Sequence, residues 1–219
     1  MSNDNILSAK YSKYRNYQDY LLSEYCYGKG QYKDAIKFIT KQINSNPDKY
    51  YFFLRRGSYY FKTKEYGRAL NDYKQVRRMN NDDYFIPYFI GNMYFLTAEY
   101  KKARSEYRQG LDMIMSDKNV TNDVKKYYQV KTEKILGNCF YKEGFYKEAI
   151  QHYDAAIAMG GGIEYAVFYI EDALFNKAKS YEKIGDKKNA LVYYKLYLAN
   201  SNPQDSMHKQ VEKITKSWK

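Results

Sequence analysis

The chain has 219 residues, 44% hydrophobic and 28% charged, and its 37 Lys and Arg outnumber 25 Asp and Glu for a formal charge of +12 at pH 7. That mixture excludes the disordered, collagenous and low-complexity classes and is sufficient to build a core. No apolar run reaches the roughly 18 residues of a spanning helix, and the opening MSNDNILSAKYSKYRNYQ has Asp4 and no apolar block of signal-peptide length, so the expectation is a cytoplasmic chain without a membrane span.

In chain order, residues 1–15 are a lead-in expected to become helical near its end. From residue 16 a pattern recurs in units starting at 16, 50, 84, 130 and 171. Each carries a small residue (Ser23, Gly57, Gly91, Gly137, Ala178) and, three positions on, a larger one (Cys26, Tyr60, Tyr94, Phe140, Tyr181). Then comes Tyr-x-x-Ala, as YKDA 32–35, YGRA 66–69, YKKA 100–103 and YKEA 146–149, with a weaker copy KKNA ending at Ala190. Four residues later stands Ile39, Tyr73, Tyr107, Tyr153 or Tyr194. The alanines lie at intervals of 34, 34, 46 and 41 residues, so the period is 34 with insertions near 118–129 and 164–170. Breaks fall at NSNPD 44–48, MNNDD 79–83, MSDKN 115–119, MGGG 159–162 and NSNPQ 200–204, where paired helices need turns. The insertions KNVTNDVKKYYQ and EYAVFYI read as extra helical turns. They predict first helices lengthened to 122–142 and 163–183 that project as an extra wall. The array ends near 203, and over 204–219 Met207, Val211, Ile214 and Trp218 recur at helical spacing, as in a capping helix that covers the last apolar face.

This pattern resembles the tetratricopeptide repeat (TPR) family. The resemblance implies an all-α fold, a right-handed α-solenoid of about five helical hairpins plus the C-terminal capping helix. The physics agrees: small residues on facing helices permit close approach, and aromatic side chains at helical spacing fill what remains. One hairpin cannot bury its apolar side, so neighbours must stack. Of the 29 tyrosines, 11 occupy the aromatic positions of the pattern and are core rather than chemistry. The departures are Cys26 and Ile39 in the first unit, Pro87 in the third and Lys187 in the fifth.

Candidates for chemistry are sparse. His152 and His208 have no metal-ligand or base–nucleophile spacing. Cys26 and Cys139 cannot make a disulfide framework or a zinc site and read as reduced core thiols. Gly160–Gly162 reads as a helix stop, and Asp82-Asp83 and Glu171-Asp172 as helix caps. No catalytic residue, cofactor site or metal site is assigned, and no enzyme is expected.

The resemblance implies capture of a peptide segment along the inner, concave surface lined by first helices, that is, a protein–protein interaction scaffold or adaptor. The groove positions of the first three units carry mostly rings, among them Tyr51, Phe85, Tyr88 and Phe89 beside Arg55 and Asn92. Those of the last two carry Lys131, Lys134, Asn138, Lys142, Asn176 and Lys179, with Asp172 and Glu182 as acids. In chaperone-binding members of the family, Lys and Asn four apart on one first helix and an Asn on the next grip a C-terminal carboxylate. Lys134, Asn138 and Asn176 match these, whereas Ser206 and Gln210 stand at the remaining positions. The expected partner is therefore another protein or peptide, acidic or presenting its C-terminus. Two lesser readings remain: nucleic-acid binding, which the charge and rings would suit, and an accessory subunit of a larger assembly. Neither oligomeric state nor pathway follows from the sequence.

Overall fold

Five short turns recur at one register of the repeat, and their backbone explains why each unit folds back on itself. Gly30, Lys64, Ala98, Gly144 and Gly185 all have positive φ, between 62° and 86°. Each precedes the pattern alanine by five residues. In four of these turns the next amide donates to a carbonyl five residues back: Gln31 to Cys26 (2.9 Å), Glu65 to Tyr60 (2.8 Å), Phe145 to Phe140 (2.9 Å) and Asp186 to Tyr181 (2.9 Å). This closure satisfies carbonyls that the helix end leaves open.

A computed structural model describes residues 17–162 and 164–218; the lead-in expected over 1–15 lies outside them. Among the described residues there are eleven α-helices and no strand. They are α1 (Gln18–Gly28), α2 (Tyr32–Ser45), α3 (Tyr50–Lys62), α4 (Tyr66–Met79), α5 (Phe85–Leu96), α6 (Tyr100–Ser116), α7 (Asn122–Glu143), α8 (Tyr146–Gly160), α9 (Val167–Lys183), α10 (Lys187–Asn200) and α11 (Ser206–Ser217). Consecutive helices pack on one another from α1 to α5 and from α6 to α11, an all-α arrangement of helical repeats. No described helix is long and apolar enough to cross a membrane. The chain divides into two compact units, Met1–Ala98 and Glu99–Lys219, a boundary that falls between the two helices of the third repeat.

In the first unit, Cys26, Ala35, Ile39, Ile43, Phe52 and Tyr59 form the buried core of α1–α3. The small residue of the pattern makes room for a ring rather than for the facing alanine. A Cβ on Gly57 would stand 2.7 Å from Cε1 of Tyr73. Between α3 and α4 the Arg56 guanidinium grips Asp72 with two bonds of 2.9 and 2.8 Å, in a place where Asp72 is almost fully enclosed.

The second unit repeats this logic: a Cβ on Gly137 would stand 2.5 Å from Cε1 of the buried Tyr153. The expectation for α7 matches its observed span, capped by Thr121, whose hydroxyl accepts from the Val124 amide (3.5 Å). For α9 the expected start at 163 is corrected. A 3-10 turn at Glu164–Ala166 precedes the helix, which begins at Val167, and fully buried Ala166 locks that turn onto the core. The lengthened ends pack on one another. Tyr127 on α7 meets Tyr165 and Tyr169 with ring centroids 5.9 and 5.5 Å apart, and the hydroxyls of Tyr127 and Tyr169 lie 3.1 Å apart. On α11, Val211 is buried against the α9–α10 core, and Trp218 meets the Tyr194 ring edge-on at 6.0 Å.

Candidate functional site

The first helices of each unit place a distinct set of side chains on one face. In the first unit, α1 and α3 bring rings together. Tyr51 lies 4.3 Å from Phe52 between ring centroids, and its hydroxyl donates to that of Tyr17 (3.4 Å); burial pushes its pKa up to about 12, so it stays a neutral hydroxyl. Beside these rings, Glu24 accepts a 2.5 Å bond from Tyr59 and lies 3.6 Å from the half-exposed Arg55. On α5, Phe85 and Asn92 are exposed, while Phe89 stacks on Tyr73 at 5.3 Å. The expectation that Tyr88 lines the groove is corrected: it is buried at 4% exposure, because α5 is apolar around most of its girth and must be covered on several sides.

In the second unit, α7 and α9 bring Lys134, Asn138 and Asn176 into one cluster. Their polar groups are engaged within the protein. Lys134 is buried at 8% exposure, its Nζ pairs with Asp172, and it sits 5.6 Å from the Tyr169 ring centroid. Asn138 Oδ1 accepts from Tyr153 Oη (2.9 Å) and from Asn176 Nδ2 (3.3 Å). A guest carboxylate reaching Lys134 would therefore compete with Asp172. This also corrects the reading of Glu171-Asp172 as a cap: both lie inside α9 rather than at its start. Asp83, by contrast, does cap, accepting from the Phe85 amide at 2.9 Å.

Further lysines of α7 and α9 flank this cluster. Lys179 lies over the rings of Tyr141 (5.8 Å) and Phe175 (5.5 Å), and neither it nor Lys142 nor Lys183 has a carboxylate partner among the described residues. Lys131 lies 5.0 Å from the Tyr128 centroid, and burial pushes its pKa down. Glu182, next to Lys183 in sequence, accepts from Tyr194 Oη at 2.7 Å. Sequence reasoning missed the other end of α9. There Glu171, Asp172 and Asp205 surround a hollow of about 360 Å³ walled by Phe168, Phe175, Tyr197 and Met207. Its signal was available in the acidic pair beside Phe168, but a cap reading absorbed it.

Cys139 and His152 are both engaged in packing. Cys139 is fully buried and burial pushes its thiol up to about 12, the reverse of an activated thiolate. His152 is half-buried, stacked on Phe140 at 5.0 Å with Nδ1 2.7 Å from Glu133. Among the described residues no three His, Cys, Asp or Glu side chains converge as metal ligands.

The sequence model of the tetratricopeptide repeat family matches residues 136–205. No curated protein sequence matches the chain. Among solved structures, a MamA protein is similar over 86% of this chain and 93% of its own at 18% identity and TM-score 0.67. MamA from Desulfovibrio magneticus RS-1 covers 87% and 97% at 14% identity and TM-score 0.68. YrrB, described as a TPR protein with an unusual peptide-binding site, covers 87% and 88% at 15% identity and TM-score 0.59. At these identities the likeness is one of fold. Residues 136–205 thus carry the tetratricopeptide repeat signature, and the chain as a whole shares the all-α helical-repeat fold of these structures.

Proposed function

We propose that the chain is a non-enzymatic interaction scaffold whose α7–α9 face holds a carboxylate-rich peptide segment of another protein. The observation that carries this is the set Lys142, Lys179 and Lys183, with the Tyr141 and Phe175 rings beneath Lys179. Such a surface offers charge for steering and ring area for contact. The peptide-binding description of YrrB supports the reading by analogy of fold. Lys134, Asn138 and Asn176 act here as the floor that positions α9 against α7, and enter the contact only where a C-terminal carboxylate displaces Asp172.

The test is fluorescence anisotropy of the full chain with a fluorescein-labelled, Asp/Glu-rich peptide ending in a free carboxylate. Lys179→Ala is expected to weaken binding about three- to tenfold, and raising salt from low to physiological should weaken it further. Equal binding by a scrambled neutral peptide, or indifference to both Lys179→Ala and salt, would overturn the proposal.

A further inference from the structure

We propose that the hollow between α9 and α11 is a subsite for a basic side chain, lysine or arginine, borne by a peptide with apolar neighbours. The argument starts with its walls. Phe168, at 68% exposure, and Met207, at 38%, put large apolar surfaces in water at the mouth of the hollow, while Phe175 and Tyr197 lie within it. Exposed apolar groups around a concavity of roughly this size, in the ~300–1,000 Å³ range of small ligand pockets, mark contact surfaces rather than solvent-facing ones.

Charge then selects the occupant. Three carboxylates line the same hollow, and they are not equally engaged. Asp172 takes Lys134 from α7, and Asp205 accepts from the Met207 amide at 3.3 Å as the cap of α11. Glu171 has neither an ion pair nor a hydrogen bond to its side chain among the described residues. Burial, Asp172 and Asp205 together disfavour its ionised form, a condition that an incoming cation relieves and an incoming anion worsens. The aromatic faces add attraction for a cation, and they accept the aliphatic stem of Lys or Arg, whose apolar length suits a ring-lined wall with acids at its end. An acidic side chain placed here would meet like charge, and a neutral one would leave Glu171 uncompensated.

The consequence is a face of opposite polarity along one helix. Glu171 and Lys179 are eight positions apart, which is about 12 Å along α9. The inference rests on the reading of this face as a peptide surface but not on its lysine end.

The test uses the full chain titrated with N-acetyl-Leu-Arg-Leu-amide, its Gln counterpart and its Glu counterpart, followed by amide chemical shifts. The Arg peptide is expected to shift amides of Phe168–Asn176 and of Ser206 and Met207, with the Gln peptide several-fold weaker and the Glu peptide not saturating. Glu171→Gln should cut Arg-peptide affinity about five- to tenfold, and Phe168→Ser should cut it several-fold. Lys134→Met, which frees Asp172, should tighten it. Equal affinity for the Arg and Gln peptides, or no loss in a folded Glu171→Gln chain, would overturn the subsite. Arg-peptide binding with no acidic-peptide binding would sink the lysine-end reading alone. Acidic-peptide binding without discrimination among the three tripeptides would sink the subsite alone.

Discussion

Two residues hold a backbone conformation that L-amino acids adopt at a cost. Lys64 and Ala98 both sit at φ 62° where three other repeats carry glycine. A side chain there costs about 1–2 kcal/mol, so Lys64→Gly and Ala98→Gly are each expected to stabilise by about 1 kcal/mol, read as a higher urea midpoint at unchanged slope. The opposite substitution shows the rigidity of the small position. Gly137→Ala drives a methyl into the Tyr153 ring, which is buried and tied to Asn138, and should cost about 1–3 kcal/mol. The small positions were legible because they recur at one offset from alanine. What they face was not, since spacing within one helix carries no information about which side chain the neighbouring helix offers.

Helix pairs hold together through a few polar anchors set in rings. Arg56 and Asp72 are the clearest case between α3 and α4. Arg56→Met leaves Asp72 enclosed and unpaired, and should lower stability by about 3–5 kcal/mol, whereas Arg56→Met with Asp72→Leu should recover most of the loss; thermal unfolding of the two variants against the parent chain measures this. In the second unit the end of α7 is held by Tyr127 against Tyr165 and Tyr169. Tyr127→Ala is expected to speed amide exchange in the first two turns of α7, leaving α10 unchanged. The 34-residue period and the inserted turns exposed these elements in advance. The pairing of the two lengthened ends escaped, because Tyr127 and Tyr169 are 42 positions apart and neither occupies a repeat position. For the same reason Lys134 was legible as a face residue but not as the partner of Asp172: the same sequence pattern suits a free cation and a neutralised one.

On the scale of the molecule, a formal charge of +12 opposes compaction through self-repulsion. The melting temperature should rise as salt goes from near zero to about 0.15 M, where screening shortens to about 8 Å; a fall would mean that attractive ion pairs dominate. The all-α repeat architecture was readable because the 34-residue period carries the resemblance to a known repeat family, and each unit repeats one physical solution. The division at Ala98 and Glu99 was not, because nothing in the repeat spacing distinguishes the third unit's turn from the others. That division gives the two cysteines a use. Cys26 belongs to one compact unit and Cys139 to the other, and both thiols are sealed from solvent. Alkylation of each then waits on opening of its own surroundings, so the native protein carries a separate internal gauge in each half. Timed labelling followed by peptide mass analysis would give two local opening rates without adding a probe, and Gly137→Ala should quicken the Cys139 clock more than that of Cys26.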